Sequence, residues 1–197
     1  MTFLLRHGQT EFNLAGRYQG RVDSPLTAQG LEQAARMGET LAALVDARQT
    51  VILTSPLQRA LRTAQIVGAR LGLEPLAEPR LIEVSMGDWE GRTAAEIDEG
   101  WPGARASHNR NEWFFGAPGG EDYLSVAKRM GSLLSDISQR SDQVHVLVGH
   151  AISGRVLRGL HARLEPLQAL RLEVSQDAIF ALESNATLRR IPLVPEV

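Results

Sequence analysis

The sequence contains no cysteine, which excludes disulfides, thiolate metal sites and cysteine nucleophiles together and is compatible with a reducing compartment. It also lacks charge of one sign. Its 21 basic residues nearly balance 23 acidic ones, so the formal charge of -2 carries none of the electrostatic footprint of a nucleic-acid or membrane-surface binder. Anion recognition must then be local. Long hydrophobic runs are missing as well: the apolar opening Met1-Thr2-Phe3-Leu4-Leu5 meets Arg6 and His7, too soon for a signal-peptide core or a membrane span, and the expected location is cytoplasmic. There is no low-complexity tract, repeat or block of like charge. What is there is 197 residues with 43% hydrophobic content, enough for one domain over residues 1–197 with a real core.

Three short apolar runs, Phe3-Leu4-Leu5, Val51-Ile52-Leu53 and residues 144–148 with His145 inside, suit strands buried on both faces. Between the first two, Leu31, Ala34, Gly38, Leu41 and Val45 recur at helical spacing behind Thr27 as N-cap. After the second run, Ser55 is placed to cap a helix, Pro56 fits its first turn, and Gln58 completes a capping box ahead of Leu57, Leu61, Ala64 and Leu71. Glu121-Asp122 favour another helix start, with Leu124, Ala127, Gly131, Leu134 and Ile137 as its stripe, and a further helix follows His150. Residues 169–191 alternate enough for short strands near a sheet edge, with Asp177 and Asn185 as turn residues. Residues 93–120, rich in Gly, Pro and Trp, read as an irregular surface insertion or lid. Alternating strands and helices imply an α/β sandwich with helices on both faces of the sheet.

In open α/β sheets, ligands bind beyond the carboxyl ends of the strands. The first run ends in Arg6-His7-Gly8, the second leads to Arg59, and the third ends in Gly149-His150-Ala151. Two arginines and two histidines meeting in one pocket suit a phosphoryl group, since guanidinium offers paired donors and fixed charge and a neutral imidazole can attack phosphorus. Gly8 would let the backbone pass close to the ligand. The leaving alkoxide needs a proton, and Glu83, between Leu81-Ile82 and a turn-rich stretch, is the candidate donor, helped to hold a proton by partial burial beside phosphate. Asp88 and Glu90 are its rivals.

Each signal has an ordinary alternative. Arg59 shares its helix with Arg62 and Arg70, which fit a solvated basic face. His108, His145 and His161 read as satisfied core histidines. Trp89, Trp101 and Trp113 fit packing roles, although Trp113-Phe114-Phe115 would also suit the wall of an apolar substrate pocket. No His-Glu-x-x-His or similar ligand cluster occurs, so no metal and no cofactor are expected.

Several ordered blocks together resemble the histidine phosphatase superfamily, also called phosphoglycerate mutase-like: Leu5-Arg6-His7-Gly8-Gln9-Thr10-Glu11-Phe12-Asn13, then Gln19-Gly20, Asp23-Ser24-Pro25-Leu26-Thr27 and Gly30, then Ser55-Pro56-Leu57-Gln58-Arg59-Ala60, and Gly149-His150. The resemblance implies a three-layer α/β/α sandwich around a mostly parallel mixed sheet. It implies a phosphorylated His7, Arg6, Arg59 and His150 around the phosphate, and Glu83 as proton donor. It further implies that Asn13, Gln19 and Gly20 line the site. Where cofactor-dependent mutases carry Glu-Arg-His-Tyr-Gly, this chain has Glu83-Val84-Ser85-Met86-Gly87, which lacks a basic and aromatic grip for a second anionic group. Gly87-Asp88-Trp89-Glu90-Gly91 and Pro118-Gly119-Gly120-Glu121 look instead like the small phosphatase branch, which includes broad-specificity and alpha-ribazole phosphatases. Ala151 stands where many relatives have glycine, and its methyl would narrow the pocket while leaving the backbone N–H available.

The expected activity is therefore metal-independent hydrolysis of a phosphomonoester through a phosphohistidine, with Arg6, Arg59 and a protonated His150 holding the charge. A mutase-type phosphotransfer and a catalytically silent phosphate-ligand protein are the alternatives. The expected partner is a small phosphorylated metabolite, with neither nucleic acid nor membrane, and a homodimer is left open.

Overall fold

In the computed structural model, residues 1–107, 111–140 and 142–195 are described, so His108 lies outside them. The elements run β1 (Thr2–Arg6), α1 (Glu11–Leu14), α2 (Ala28–Ala42), β2 (Thr50–Thr54), α3 (Gln58–Leu71), β3 (Leu76–Ala77), α4 (Ala94–Gly100), α5 (Tyr123–Ser138), β4 (Val144–Gly149), α6 (Ala151–His161), α7 (Pro166–Ala169), β5 (Ala178–Leu182) and β6 (Leu188–Pro192). Among the described residues they form one six-stranded sheet in the order β3-β2-β4-β1-β5-β6. β1, β2, β3 and β4 pair in parallel, with Arg6 opposite Gly149 and Thr54 opposite Val148, so three strands end at one level. β5 and β6 close one side antiparallel, β6 at the edge, with Asn185 in a left-handed turn conformation between them.

Strand alternation divides the core in two. Phe3, Leu5, Val146 and Val148 face α2 and α3, packing with Met37, Leu41, Ala60, Ala64 and Val67. Leu4 and Leu147 face the other way, against Val126, Met130 and Leu133 of α5 and Val156 and Leu157 of α6. Each run is apolar throughout because both of its faces are covered, and the three layers expected from the sequence are present.

The phase of α5 differs from the periodicity reading. In α5, Leu124 is 78% exposed, whereas Val126, Met130, Leu133 and Ile137 are buried. Both sets have helical spacing, and burial goes to the set with the larger apolar volume, since Ala127 and Gly131 offer little surface to remove from water. In α2, Ala34, Gly38 and Leu41 are buried as the spacing predicts, with Met37 beside them and Leu31 exposed. In α3 the buried face is Arg59, Ala60, Thr63, Ala64, Val67 and Gly68, so Leu57, Leu61 and Leu71 stand at its margin. Residues 93–120 are less irregular than their composition suggests. A capping box between Thr93 and Glu96 starts α4, and Ile97 and Phe114 insert into the core beside Trp89 and Trp101.

Candidate active site

The carboxyl ends of β1 and β4 place His7 and His150 side by side, with ring centroids 5.2 Å apart at 60°. Each ring is only 3% exposed. The His7 backbone N–H continues the β1–β4 ladder to Gly149 O at 3.0 Å, so the imidazole starts from a rigid base. Its Nδ1 lies 2.8 Å from Gly8 O. A carbonyl can only accept, so Nδ1 carries the proton and Nε2 keeps its lone pair. Burial, reinforced by Arg6 and Arg59, pushes this imidazole well below its ordinary pKa and holds it neutral at neutral pH.

His150 is fastened through Nε2 to Ser55 Oγ at 2.7 Å. Its Nδ1 is buried without a partner among the described residues. Burial, then Arg59, His7 and Arg6, push its pKa well down, so the expectation of a protonated His150 does not hold for the protein without an anion. Ser55 is also not the cap of α3. Leu57 occupies the N-cap position without a side-chain bond. Asp23 arrives from a distant loop instead, accepting from Gln58 N at 2.7 Å and Arg59 N at 3.4 Å. Ser55 Oγ accepts from Leu57 N, at 3.3 Å, just ahead of that terminus, and holds His150 as well.

Arg59 is 2% exposed and held on one side by Asp23 Oδ1 at 2.8 Å, Val22 O at 2.9 Å and Gly20 O at 2.6 Å. Among the described residues its Nε has no partner, and neither does the buried Nε of Arg6. Burial, with Arg155 and Arg59 adding repulsion against the pull of Glu83, pushes Arg6 down to about 10, which still leaves it charged at neutral pH. Among the described residues, two guanidiniums and His150 thus carry unpartnered nitrogens beside the free lone pair of His7, in a cavity whose one lining carboxylate is Glu83, an arrangement complementary to an anion.

That carboxylate is Glu83, 7% exposed. It accepts from Val84 N at 2.9 Å, Ser153 N at 2.9 Å and Ile152 N at 3.1 Å, and so caps the N-terminus of α6 from outside the helix. Ala151 N–H is the first helical donor not taken by Glu83. Glu90 is spent elsewhere, with Oε1 bound to Arg21 N, Met86 N and Ser85 Oγ, and Asp88 is exposed, so neither rival enters the site.

Arg6, His7, Asn13, Gln19, Gly20, Arg59, Glu83 and Ala151 line one cavity of about 120 Å³ together with Arg17, Tyr18, Met86 and Ile152. Gly8 plays a different part from the one expected. A Cβ on it would meet Gly30 O at 2.2 Å, and one on Gly30 would meet Gln9 O at 2.0 Å, so the pair lets the β1 loop seat on α2 rather than on a ligand. Thr63 Oγ1 accepts Gly8 N at 3.1 Å. Gln176, unmarked by any motif, donates from Nε2 to His7 O at 3.0 Å and to Asn13 Oδ1 at 3.2 Å, tying these two parts of the site together.

A second cavity of about 460 Å³ opens from the first, sharing Arg6, Asn13, Arg17, Tyr18, Met86, Ala151 and Ile152 and adding Trp113, Phe114 and Arg155. Trp113 and Phe114 therefore form the apolar wall expected of them. Phe115 stacks instead on Tyr123, with centroids 5.6 Å apart. Arg62 is exposed, as a solvated basic face requires. His161 Nε2 lies 2.9 Å from Glu183 O and is satisfied, whereas buried His145 is not, since its Nε2 has no partner. Among the described residues no group of three His, Cys, Asp or Glu is placed to hold a metal ion, and no helix is long and apolar enough to cross a membrane.

This arrangement of histidines and arginines at the ends of parallel strands coincides with a sequence match over residues 2–193 to the histidine phosphatase superfamily, branch 1, and the chain belongs to that family. Its relatives divide by the reactions they are named for. The chain is 37% identical over 169 residues to the glucosyl-3-phosphoglycerate phosphatase of Mycolicibacterium vanbaalenii, covering 82% of this chain and 72% of that protein. It is 36% identical over 160 residues to a "probable phosphoglycerate mutase GpmB" of Klebsiella pneumoniae, covering 77% and 69%. The structure of a mycobacterial glucosyl-3-phosphoglycerate phosphatase in complex with VO3 superposes with a TM-score of 0.80 at 31% identity, covering 98% of this chain and 97% of that one.

Proposed function

We propose that this protein hydrolyses a small phosphorylated metabolite, in the cytoplasm, through a phosphohistidine at His7. The observation that carries the reading is the neutral His7 ring, its Nδ1 proton committed to Gly8 O and its Nε2 unengaged, in a cavity where the Nε atoms of Arg6 and Arg59 lack partners. The Nε2 lone pair attacks phosphorus, the bond to the ester oxygen breaks, and Glu83 delivers a proton to the departing oxygen. The positive ring of the intermediate is stabilised by the Gly8 carbonyl. Water then attacks phosphorus as Glu83 takes its proton, the P–N bond breaks, and phosphate leaves with His7 neutral again.

Arg6, Arg59, the Ala151 N–H and the Nδ1 of His150 are arranged to bind the phosphoryl oxygens, and Asn13, Gln19 and Gly20 complete the wall. Guanidinium groups supply the fixed positive charge that phosphoryl transfer elsewhere takes from a metal ion. Burial and, after it, repulsion from Arg59, His7 and Arg6 keep His150 neutral, and an arriving dianion works against both, so protonation of that ring accompanies binding. The test is phosphate release from a panel of phosphorylated metabolites with chelator present, glucosyl-3-phosphoglycerate included because of the mycobacterial relatives. Turnover with chelator supports this mechanism, and its complete loss on metal removal overturns it. Transfer to a second hydroxyl, as in the name of the Klebsiella relative, is discriminated by adding a bisphosphorylated primer. We expect release to outrun isomerisation.

A further inference from the structure

We infer that Arg155 is a specificity residue that binds a carboxylate on the leaving group, making carboxylate-bearing phosphomonoesters the favoured substrates. The inference rests on the phosphatase reading above and deepens it. Arg155 lies four residues after Ala151 and three after Ile152 on α6, so one helix face serves both the phosphate cavity and the larger cavity beside it.

Three guanidiniums line the larger cavity, and no described residue lining it is acidic. Arg6 is shared with the phosphate cavity. Arg17 is already neutralised, its Nη atoms bound to Glu96 at 2.8 and 3.0 Å. Arg155 remains. Its Nε donates to Leu172 O at 2.7 Å, which fixes the plane of the group, and its two Nη atoms have no acceptor and no ion pair among the described residues. A half-buried guanidinium anchored at one end and open at the other is matched in shape and charge to a carboxylate. Burial pushes its pKa down, as expected of a cation without a close counter-ion, although Glu83 works against that shift. Trp113, Phe114 and Tyr18 give the rest of the cavity a surface suited to the carbon skeleton. The grip missing from Val84-Ser85-Met86 is thereby supplied from α6.

The test uses 3-phosphoglycerate and sn-glycerol 3-phosphate, which differ by a carboxylate in place of a hydroxymethyl group. The wild-type protein is expected to favour 3-phosphoglycerate in kcat/KM by at least tenfold. Arg155→Gln is expected to lower kcat/KM for 3-phosphoglycerate at least tenfold more than for glycerol 3-phosphate, mainly through KM, and Arg155→Lys to restore part of it. Equal losses on both esters, or no preference in the wild-type protein, overturn the inference. Folding of Arg155→Gln is checked by its melting temperature, and if it does not fold, the wild-type preference and its weakening in Arg155→Lys decide. Should the folded wild-type protein hydrolyse neither ester nor p-nitrophenyl phosphate, the phosphatase reading fails. Calorimetric binding of the two esters to wild type and Arg155→Gln then decides the carboxylate question separately.

Discussion

The two cavities beneath α6 share a wall and differ in how firmly it is held. In the inner one, nearly every reactive group is fixed by a second partner: His7 by Gly8 O, His150 by Ser55, Arg59 by Asp23 and Gly20, Glu83 by three backbone N–H groups. The outer one adds aromatic faces and Arg155, a guanidinium tied through Nε alone. Chemistry that tolerates little displacement is built on strand ends and a helix terminus, whereas discrimination between leaving groups rests on fewer contacts. Substitutions in the inner cavity should therefore lower turnover for every substrate, and those in the outer cavity should sort substrates.

The largest effect is expected for His7→Ala, about 10⁴- to 10⁶-fold in kcat irrespective of leaving group, as for other nucleophile deletions. Near wild-type turnover in a steady-state assay would erase the distinction between the cavities. Glu83→Gln is expected to cost about 10²- to 10⁴-fold on alkyl phosphates, the range for removal of a general acid, and clearly less on p-nitrophenyl phosphate, whose leaving group needs no proton. The comparison is made in kcat/KM, which reports departure of the leaving group and not hydrolysis of the intermediate, and equal losses there would remove Glu83 as the proton donor.

A subtler probe is Arg129, which touches neither cavity. Its Nη1 donates to Arg80 O and Ile82 O, both at 2.6 Å, and its other nitrogens bind Glu121 at 2.9 and 3.0 Å, so it ties down the backbone just before Glu83. Arg129→Met is expected to lower kcat about tenfold with KM little changed, and to destabilise the protein by about 2 kcal/mol, the scale of a lost charged hydrogen-bond set. A stability loss with kcat intact would make the contact structural only.

The smallest effect concerns pH. His7 and His150 are pushed below their ordinary pKa on folding, so in acid the unfolded chain takes protons before the folded one. Their contribution to stability is complete above the unfolded value of about 6.5 and is lost as pH falls below it toward the depressed folded values, by at most about 1.4 kcal/mol per pH unit per ring. Melting temperature is expected to fall between pH 7.5 and 5.5, and inorganic phosphate to offset part of the fall. A melting temperature that rises over this interval in the phosphate-free protein would contradict the sign.

Much of the inner cavity was legible because Arg6, His7 and His150 stand directly at strand ends, where chain direction alone sends side chains into a common space. Arg59 was legible for the same reason, one helix start later. Ser55 was misread because a serine before a helix is ordinarily its cap, and only tertiary structure shows that Asp23 has taken that task. Thr63, Gln176 and Arg155 left no such mark. They reach the site through the packing of α3, of the segment before β5 and of α6, and nothing in their local sequence separates them from ordinary helix and loop residues. The phase of α5 was hidden for a related reason, since two apolar sets at helical spacing compete there and the bulkier one is buried.

The central claim is tested most directly by mixing enzyme with radiolabelled phosphomonoester and quenching into denaturant within a single turnover. The account predicts a protein-bound phosphoryl group on His7, labile in acid and stable in base, that forms and decays as fast as turnover and is absent from His7→Ala. Full turnover without any such intermediate under burst conditions, or label carried by another residue, would contradict it.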